Sequence, residues 1–417
     1  MSIDIQEVKQ AIKDKGHHWE AEENHMTALD EATRKKMHGG IPPPSDARAT
    51  PEADDKLAIT DLPSSVDWRN HQGNYVTYVK YQGACGSCVG FAASAAFEST
   101  VAIEHELPVA QVGRASQMLV DLSVADAFFC SDHGANCNGW WPKDYFKANQ
   151  ARGVVQENLF PFADAFPDGN IKPTHEVKIT CESVPNRSEN AFTYGKVYTI
   201  NSMKAAKAHL AKIGPLAANL KLYTDIFHYK SGIYKHATGQ YDGLHCVCIV
   251  GYNDNDGDGY WICKNSWGMK WGMGGFFNIG YGQCDMEGYK MYGVSDTSLP
   301  PTLYHNYLLG SKNQVLEKGA SLVSNNGHYQ FSYQKDGNLV LLKTDDQTVI
   351  WSTNTKGKTS DKVVMQADGN LVMYNDTTQV WASGTNGHPN AYLTLQMNGE
   401  AVIYDDNKPI WSTKESS

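Results

Sequence analysis

The segment Gln82-Gly83-Ala84-Cys85-Gly86-Ser87-Cys88 runs into a series of good helix formers from Phe91 to Glu98. That order predicts Cys88 on the first turn of a helix, where free backbone amides and the helix dipole favour an anion and lower a thiol's pKa. Gln82, just upstream, carries an amide that can be aimed at a developing oxyanion. Taken alone, two cysteines in a small-residue loop also read as disulfide partners or half of a zinc site.

A thiolate that does chemistry needs an imidazole as ion-pair partner and proton shuttle, and the imidazole needs a third group to hold its tautomer. His245 stands in Gly243-Leu244-His245-Cys246-Val247-Cys248-Ile249-Val250, where the apolar run after the His reads as a buried strand. Asn265 opens Asn265-Ser266-Trp267-Gly268. Cys88, His245 and Asn265 supply the three roles in that chain order, a little farther apart than the roughly 130–150 residues typical of the papain type.

The sequence here resembles the papain-like cysteine peptidases. The matching stretches are Val66-Asp67-Trp68-Arg69, Gln82 to Cys88, Asn136-Cys137-Asn138-Gly139, the run from His245, and Asn265 to Gly268. The resemblance implies an α+β, two-lobed peptidase, with Cys88 on the central helix of a helical lobe and His245 and Asn265 on a β-barrel-like lobe. It implies Cys88 as nucleophile, His245 as base and then acid, Asn265 as the group orienting it, and Gln82 as oxyanion donor. Trp267 would shield the Asn–His hydrogen bond. Trp140, Trp141, Pro142, Asn219 and Cys246 match positions that receive substrate, and their aromatic and apolar character predicts a hydrophobic residue two before the scissile bond. The resemblance also implies a Cys85–Cys137 disulfide and a second bridge between Cys130 and Cys181. Cys246, Cys248 and Cys263 lie in apolar runs and read as buried free thiols. Cys284 falls at a bridging position whose usual partner is missing.

Three departures from that family's pattern bear on the cleft. Val89 stands where an aromatic usually follows the nucleophile. Trp140 replaces a glycine whose backbone pairs with substrate, so its bulk is expected to narrow the cleft. Leu244 replaces a polar residue before the His and is expected to shift the pH optimum.

Stepping out from the site, 417 residues suffice for two or three domains. No apolar run approaches a membrane span, and 36 basic against 46 acidic residues, a net charge of −10, argue against nucleic acid as a partner. No basic region followed by an apolar stretch opens the sequence, so no signal peptide is visible. The expected disulfides nevertheless point to an oxidising, extracellular destination, reached by a route the sequence does not reveal, with the cytoplasm as the alternative that the unassigned cysteines leave open.

Residues 1–60 read as a leader whose position fits a propeptide covering the cleft. Ile5, Val8 and Ile12 share a helical face, and Met26 with Leu29 suggests a second short helix. Gly39-Gly40-Ile41-Pro42-Pro43-Pro44 then stops any helix. Acid is expected to loosen such a leader by protonating carboxylates. The peptidase would span 61–296, with Gly214-Pro215 turning into an apolar strand that lines the cleft. Asp254 to Gly259 copies the first half of a calcium loop, but its twelfth position falls on Asn265 where Glu is wanted. A hairpin turn is the simpler reading, and no metal or cofactor is implied.

A linker, 297–304, leads to short strands and turns. Trp351, Trp381 and Trp411 recur at 30-residue intervals, the mark of an internal triplicate. Gln366, Asp368, Asn370, Val372 and Tyr374 alternate, which predicts all five side chains on one strand face. Such a set of amides, carboxylate and phenol suits sugar hydroxyls. The first copy keeps Gln334, Asp336, Asn338 and Val340 but has Leu342; the third keeps Gln396, Val402 and Tyr404, with Asn398 and Glu400 between. Residues 305–417 resemble the bulb-type mannose-binding lectins, implying a three-fold β-prism that takes mannose-containing glycans. That family's intradomain disulfide is absent, Gly337 and Gly369 filling the usual cysteine position. The whole then reads as a cysteine endopeptidase made as a zymogen and held on mannose-type glycans. The alternative reading is a mannose-binding lectin whose peptidase domain is inactive or only binds, in a toxin or defence role.

Overall fold

The computed structural model describes residues 3–39, 43–50, 61–71, 73–105, 107, 120–131, 135–162, 187–300, 306–324, 328–389, 391–406 and 408–414. The chain divides into two compact units, with the break after Leu299.

In the first unit the leader opens with helix α1 (Ile5–Asp14), N-capped by the Asp4 side chain, with Val8 and Ile12 buried. The second leader helix, α2 (Glu31–Lys36), begins later than the sequence suggested. The Asn24 side chain takes the Met26 amide at 2.8 Å and locks a turn there, and Asp30 supplies the N-cap that starts α2. Between the helices, β1 (Glu20–Ala21) leaves the leader to pair with the sheet lobe.

The helical lobe is built round α3 (Cys88–Glu104), buried on every side from Cys88 to Ala102. Its small residues allow close approach: a Cβ on Gly90 would lie 2.9 Å from the Phe128 ring. Helices α4 (Val124–Phe129) and α5 (Pro142–Arg152) pack on it.

The sheet lobe holds β2 (Ser65–Asp67), β3 (Val154–Val155), β4 (Ala191–Ile200), β5 (Leu216–Tyr223), β6 (Tyr229–Ser231), β7 (Ile233–Tyr234), β8 (Tyr241–Asn253), β9 (Tyr260–Lys264), β10 (Phe276–Gly280) and β11 (Met291–Ser298). Its order is β3-β4-β11-β5-β8-β9-β10-β7, with β2 added on β8. The Gly214-Pro215 turn feeds β5, which pairs with β8 so that Asn219 opposes Cys246. β1 joins β6. The acidic stretch 254–258 turns between β8 and β9; Asp254 is held by Lys207 at 2.7 Å and Asp258 by Lys235 at 3.3 Å.

A buried polar network ties the lobes together. Glu98 on α3 accepts from Thr77, from Lys80 at 3.2 Å and from the Leu122 amide at 2.9 Å, and Lys264 reaches Thr77 at 2.6 Å. Removing one partner of such a set typically costs about 3–5 kcal/mol, because a charge is stranded in the interior.

The second unit, among its described residues, holds three four-stranded antiparallel sheets. One is Ser321–Val323, Tyr329–Tyr333, Leu339–Lys343 and Val349–Ser352. Another joins Val315–Glu317 to Lys362–Met365, Leu371–Asn375 and Thr378–Ala382. The third joins Tyr307–Leu309 to Tyr392–Leu395, Ala401–Asp405 and Lys408–Ser412. The three repeated tryptophans meet one another, ring centroids 5.6–6.1 Å apart, against a shared apolar core.

Candidate active site

Cys88 is the first residue of α3, and neither a side-chain cap nor an acidic residue occupies that helix's first turn. The amides there stay available to the sulfur. Cys85 is bonded to Cys137, as expected. Cys130 is also disulfide-bonded, while its expected partner Cys181 lies outside the described residues. Cys246, Cys248, Cys263 and Cys284 are free and buried.

His245 and Asn265 come together across β8 and the end of β9: His245 Nε2 meets Asn265 Oδ1 at 2.8 Å. The same Oδ1 takes the Ser266 amide, so it acts as acceptor and His245 carries its proton on Nε2. Nδ1 is then a bare lone pair, buried without a hydrogen-bond partner. Trp267 covers the pair, its ring 4.9 Å from the imidazole, and is braced by Trp271 and Phe227. Asn265, His245 and Trp267 are all buried.

The leader occupies this site. Gln82 is fully buried, anchored by Ser266 Oγ on its Oε1 at 2.6 Å, and its Nε2 donates to the leader carbonyl of Met37 and to Cys85 O, both at 2.8 Å. A Cβ on leader Gly39 would lie 3.1 Å from Cys88 Sγ, and one on Gly139 only 2.6 Å from the Gly39 carbonyl carbon. Gly39 and Gly139 therefore meet backbone to backbone, an approach that Gly139 in its left-handed conformation permits (φ 122°). Beyond the cleft, Arg48 bridges Tyr289, with Lys290 N on Ala47 O at 3.0 Å and Ala49 N on Gly288 O at 3.1 Å. Upstream, Trp19 packs on Tyr229 and Tyr234 and donates to Lys235 O at 2.9 Å.

Burial under the leader sets the charge states. It pushes the Cys88 thiol up to about 11, against backbone N–H groups of Cys246 and Gly39 that pull it down. Burial likewise pushes His245 down to about 3, over the opposing bond to Asn265. Both shifts run against the charged thiolate–imidazolium pair while the site is closed.

The other expected contact residues divide. Trp141 lines an apolar cluster with Leu244, Tyr289 and the leader's Ala47. Asn219 and Cys246 sit opposite each other on β5 and β8, and Cys246 N–H points at Cys88. Pro142 begins α5. Trp140 corrects the expectation of a narrowed cleft: its ring packs on Phe128 and Tyr145 of the helical lobe. The apolar neighbours there outcompete the cleft for its surface. Leu244 lies in the apolar cluster, so its burial there accounts for the residue. Tyr289 was missed by the sequence reading because no motif marks the segment after Cys284; the site residues Gly39, Met37 and Ala47 were missed because a leader's register on its cleft has no local signature.

In the second unit the alternating residues do not all share a strand. Gln366, Asp368 and Asn370 lie in the hairpin turn closed by Gln366 N on Asn370 O at 2.8 Å, and only Val372 and Tyr374 are on the strand. Gly369, at φ 89°, makes that turn. Gln366 Nε2 donates to Tyr374 Oη at 2.7 Å. Asp368 Oδ1 takes the Asn370 amide, and Asn370 Oδ1 takes Ser383 Oγ and the Gly384 and Thr385 amides, leaving its Nδ2 as donor. Val372 is buried. The first copy repeats the turn: Asn338 N on Asp336 at 3.0 Å, Thr355 N on Asn338 Oδ1 at 3.0 Å, Gln334 N on Asn338 O at 2.8 Å, with Val340 buried. In the third, Gln396 meets Tyr404 at 2.7 Å, but Glu400 is taken by Lys414 at 3.0 Å.

Comparison with known proteins bears on residues 62–294, which match the profile described as papain family cysteine protease. Cathepsin B-like cysteine proteinase 2 of Haemonchus contortus is 30% identical over 263 residues, covering 57% of this chain and 74% of that protein. Pro-cathepsin H of Mus musculus is 34% identical over 239 residues, covering 56% and 65%. Among solved structures, procathepsin B S9 from Trypanosoma congolense has a TM-score of 0.57 at 23% identity, covering 70% of this chain and 98% of that one, a likeness of fold. A recombinant stem bromelain precursor has a TM-score of 0.52 at 22% identity, covering 70% and 88%. None of the described helices is long and apolar enough to cross a membrane.

Proposed function

The chain belongs to the papain family of cysteine proteases and is a hydrolase of peptide bonds, and from that premise we propose that it is an endopeptidase held silent by its own leader. Cys88 is the nucleophile. His245 takes the thiol proton through its free Nδ1 and returns it to the leaving amine. Asn265 fixes the tautomer, and Gln82 with the α3 amides receives the oxyanion. Attack on the scissile carbonyl expels the amine and leaves a thioester at Cys88; water, deprotonated by His245, then releases the acid. The pocket of Trp141, Leu244 and Tyr289 takes an apolar side chain of the substrate.

The observation that carries this reading is the occupancy of the Gln82 amide by Met37 O while Gly39 covers Cys88. The donor meant for a substrate carbonyl is spent on the leader. Alkylation of Cys88 in the full chain by a thiol-specific peptidyl epoxide tests it. Labelling is expected to be slow at pH 7 and fast once the leader is cut, with peptide hydrolysis rising in parallel. Equal labelling of both forms would overturn the zymogen assignment.

The second unit is read as a mannose-binding β-prism lectin module that holds the enzyme on glycan-coated substrates. Its support is the three sheets round a tryptophan trio and the Gln366–Tyr374 constellation. The disulfides support an oxidising, extracellular working place. Calorimetry of the Cys88→Ala full chain with a methyl mannoside tests the module; no heat with any mannoside refutes it.

A further inference from the structure

Arg48 of the leader is received by the peptidase through three kinds of contact. Its Nη1 donates to Asp285 Oδ2 at 2.7 Å and its Nη2 to Oδ1 at 3.1 Å, the two-pronged pairing of a planar guanidinium with a carboxylate. Its Cζ stands over the Tyr289 ring, 4.7 Å from the centroid. The flanking backbones pair as antiparallel strands, Ala49 N on Gly288 O at 3.1 Å and Lys290 N on Ala47 O at 3.0 Å. The peptidase side of this contact has an unusual backbone. Cys284 and Asp285 are both left-handed, at φ 56° and 55°, a conformation that residues other than glycine visit singly rather than in pairs. A methyl on Gly288 would overlap Asp285 Oδ1 and lie 2.5 Å from Arg48 Nη2, so the pair has room only because that residue is glycine.

We propose that Asp285 and Tyr289 form a guanidinium subsite of the substrate cleft, so that the enzyme prefers an arginine three residues before the scissile bond. The proposal deepens the peptidase reading above and rests on it. In the closed chain Arg48 fills the place that a substrate arginine takes. The position follows from the order of contacts. Counting outward from Gly39 at the thiol, Ala47 reaches the apolar cluster of Trp141, Leu244 and Tyr289, and Arg48 comes next. A substrate that sets its apolar side chain, two before the scissile bond, in that cluster brings its next residue outward to Asp285. Tyr289 serves both places, as a wall of the apolar cluster and as the face under the guanidinium.

Charge and shape together select arginine. Lys221 Nζ on β5 is 2.9 Å from Asp285 Oδ2, so the carboxylate keeps a resident cation when the leader leaves. That contact engages one oxygen, and an ionised carboxylate offers about four acceptor sites, so a guanidinium still finds its two. The hydrogen bonds from Arg48 are the largest influence holding the Asp285 carboxyl below its usual range, and Lys221 acts in the same direction. A substrate lysine meets the same carboxylate as a point charge, without the fork or the stacking plane, and ranks second. The pair is partly exposed, Arg48 by 53% and Asp285 by 27%, so solvent screens it. The fork and the aromatic face, discounted for that exposure, give roughly a tenfold preference. A pair that only pinned the leader would give none.

The test compares hydrolysis of two fluorogenic peptides by the full chain after its leader has been cut. One is acetyl-Arg-Leu-Gly-aminocoumarin; the other carries citrulline for arginine, which keeps the shape and loses the charge. The arginine peptide should show a kcat/KM roughly tenfold above its citrulline twin at low salt, with the lysine peptide between them and the ratio shrinking as salt rises. Asp285→Asn, which suits left-handed backbone as well as aspartate does, should bring that ratio within about twofold of one. Gly288→Ala should do the same with the carboxylate present but displaced. Epoxide titration of Cys88 counts working sites, so a folding loss lowers both rates and leaves the ratio readable. A wild-type ratio below about twofold overturns the proposal, as does a ratio that survives Asp285→Asn. Equal cutting of both peptides removes the subsite and leaves the peptidase reading standing. If neither peptide is cut and the epoxide leaves Cys88 unlabelled, the peptidase reading fails and the subsite falls with it.

Discussion

Trp19→Ala isolates the leader's anchor from the chemistry it covers. Trp19 is 3% exposed, its ring 5.2 Å from Tyr234 and 6.1 Å from Tyr229, with its indole N–H on Lys235 O at 2.9 Å. It directly precedes β1, the strand by which the leader joins the sheet lobe. Truncating a buried Trp costs about 3–5 kcal/mol in a core that cannot collapse. Because the leader can lift away, the cost falls on docking, and at about 1.4 kcal/mol per decade closure weakens by two to three and a half decades, roughly 10²- to 4 × 10³-fold. The second-order rate of epoxide labelling at Cys88 in the intact chain, at pH 7, should rise by that factor or to the ceiling set by the free enzyme. Gly232→Ala approaches the same joint from the peptidase side: its methyl would fall 2.7 Å from His18 O at a residue with φ 89°, and labelling should rise again. A folded Trp19→Ala chain that labels within about twofold of wild type would refute the idea that docking here governs access to the thiol.

Cys88→Ala should abolish peptide hydrolysis while circular dichroism and mannoside binding stay unchanged, because the covalent intermediate forms on that one sulfur. Cys88's pKa, pushed up to about 11 by burial in the closed form, should fall on leader removal as water returns and the imidazole can charge, which a pH profile of alkylation would record. Lys264→Met should lower stability by about 3–5 kcal/mol in denaturant titration, since it leaves Glu98 buried with fewer partners. In the second unit, Tyr374→Phe and Asp368→Asn should each weaken mannoside binding by about 0.5–1.5 kcal/mol, somewhat more for the charged group, with no effect of EDTA. The first copy should bind more weakly than the second, and the third least, because Lys414 already holds Glu400.

The parts of this molecule legible in sequence are those written in short motifs. Cys88 at a helix start, His245 on a strand and Asn265 after one were readable because each role demands one residue type beside one backbone geometry. The Cys85–Cys137 bridge followed from resemblance. Trp140 was misread because a bulky residue at a glycine position says nothing about which side of the backbone it will bury, and Phe128 and Tyr145 decided that. The Gln-Asp-Asn alternation looked like a strand because period two fits either a strand or a turn followed by one; Gly369 in the left-handed region broke the tie. The leader's helix α2 moved because Asn24 and Asp30 compete for the backbone as turn and cap, and side-chain capping outweighed a two-residue apolar hint.

The leader's hold on the site is as much electrostatic as steric. A covered cleft excludes water, and without water a thiolate–imidazolium pair loses the solvation that both charges need. Cys88 and His245 move in opposite directions for that one reason, away from the charged pair. The same dryness acts on His38, which lies beside them and also resists protonation. Water returning when the leader leaves lets Cys88 and His245 exchange the proton that the chemistry requires.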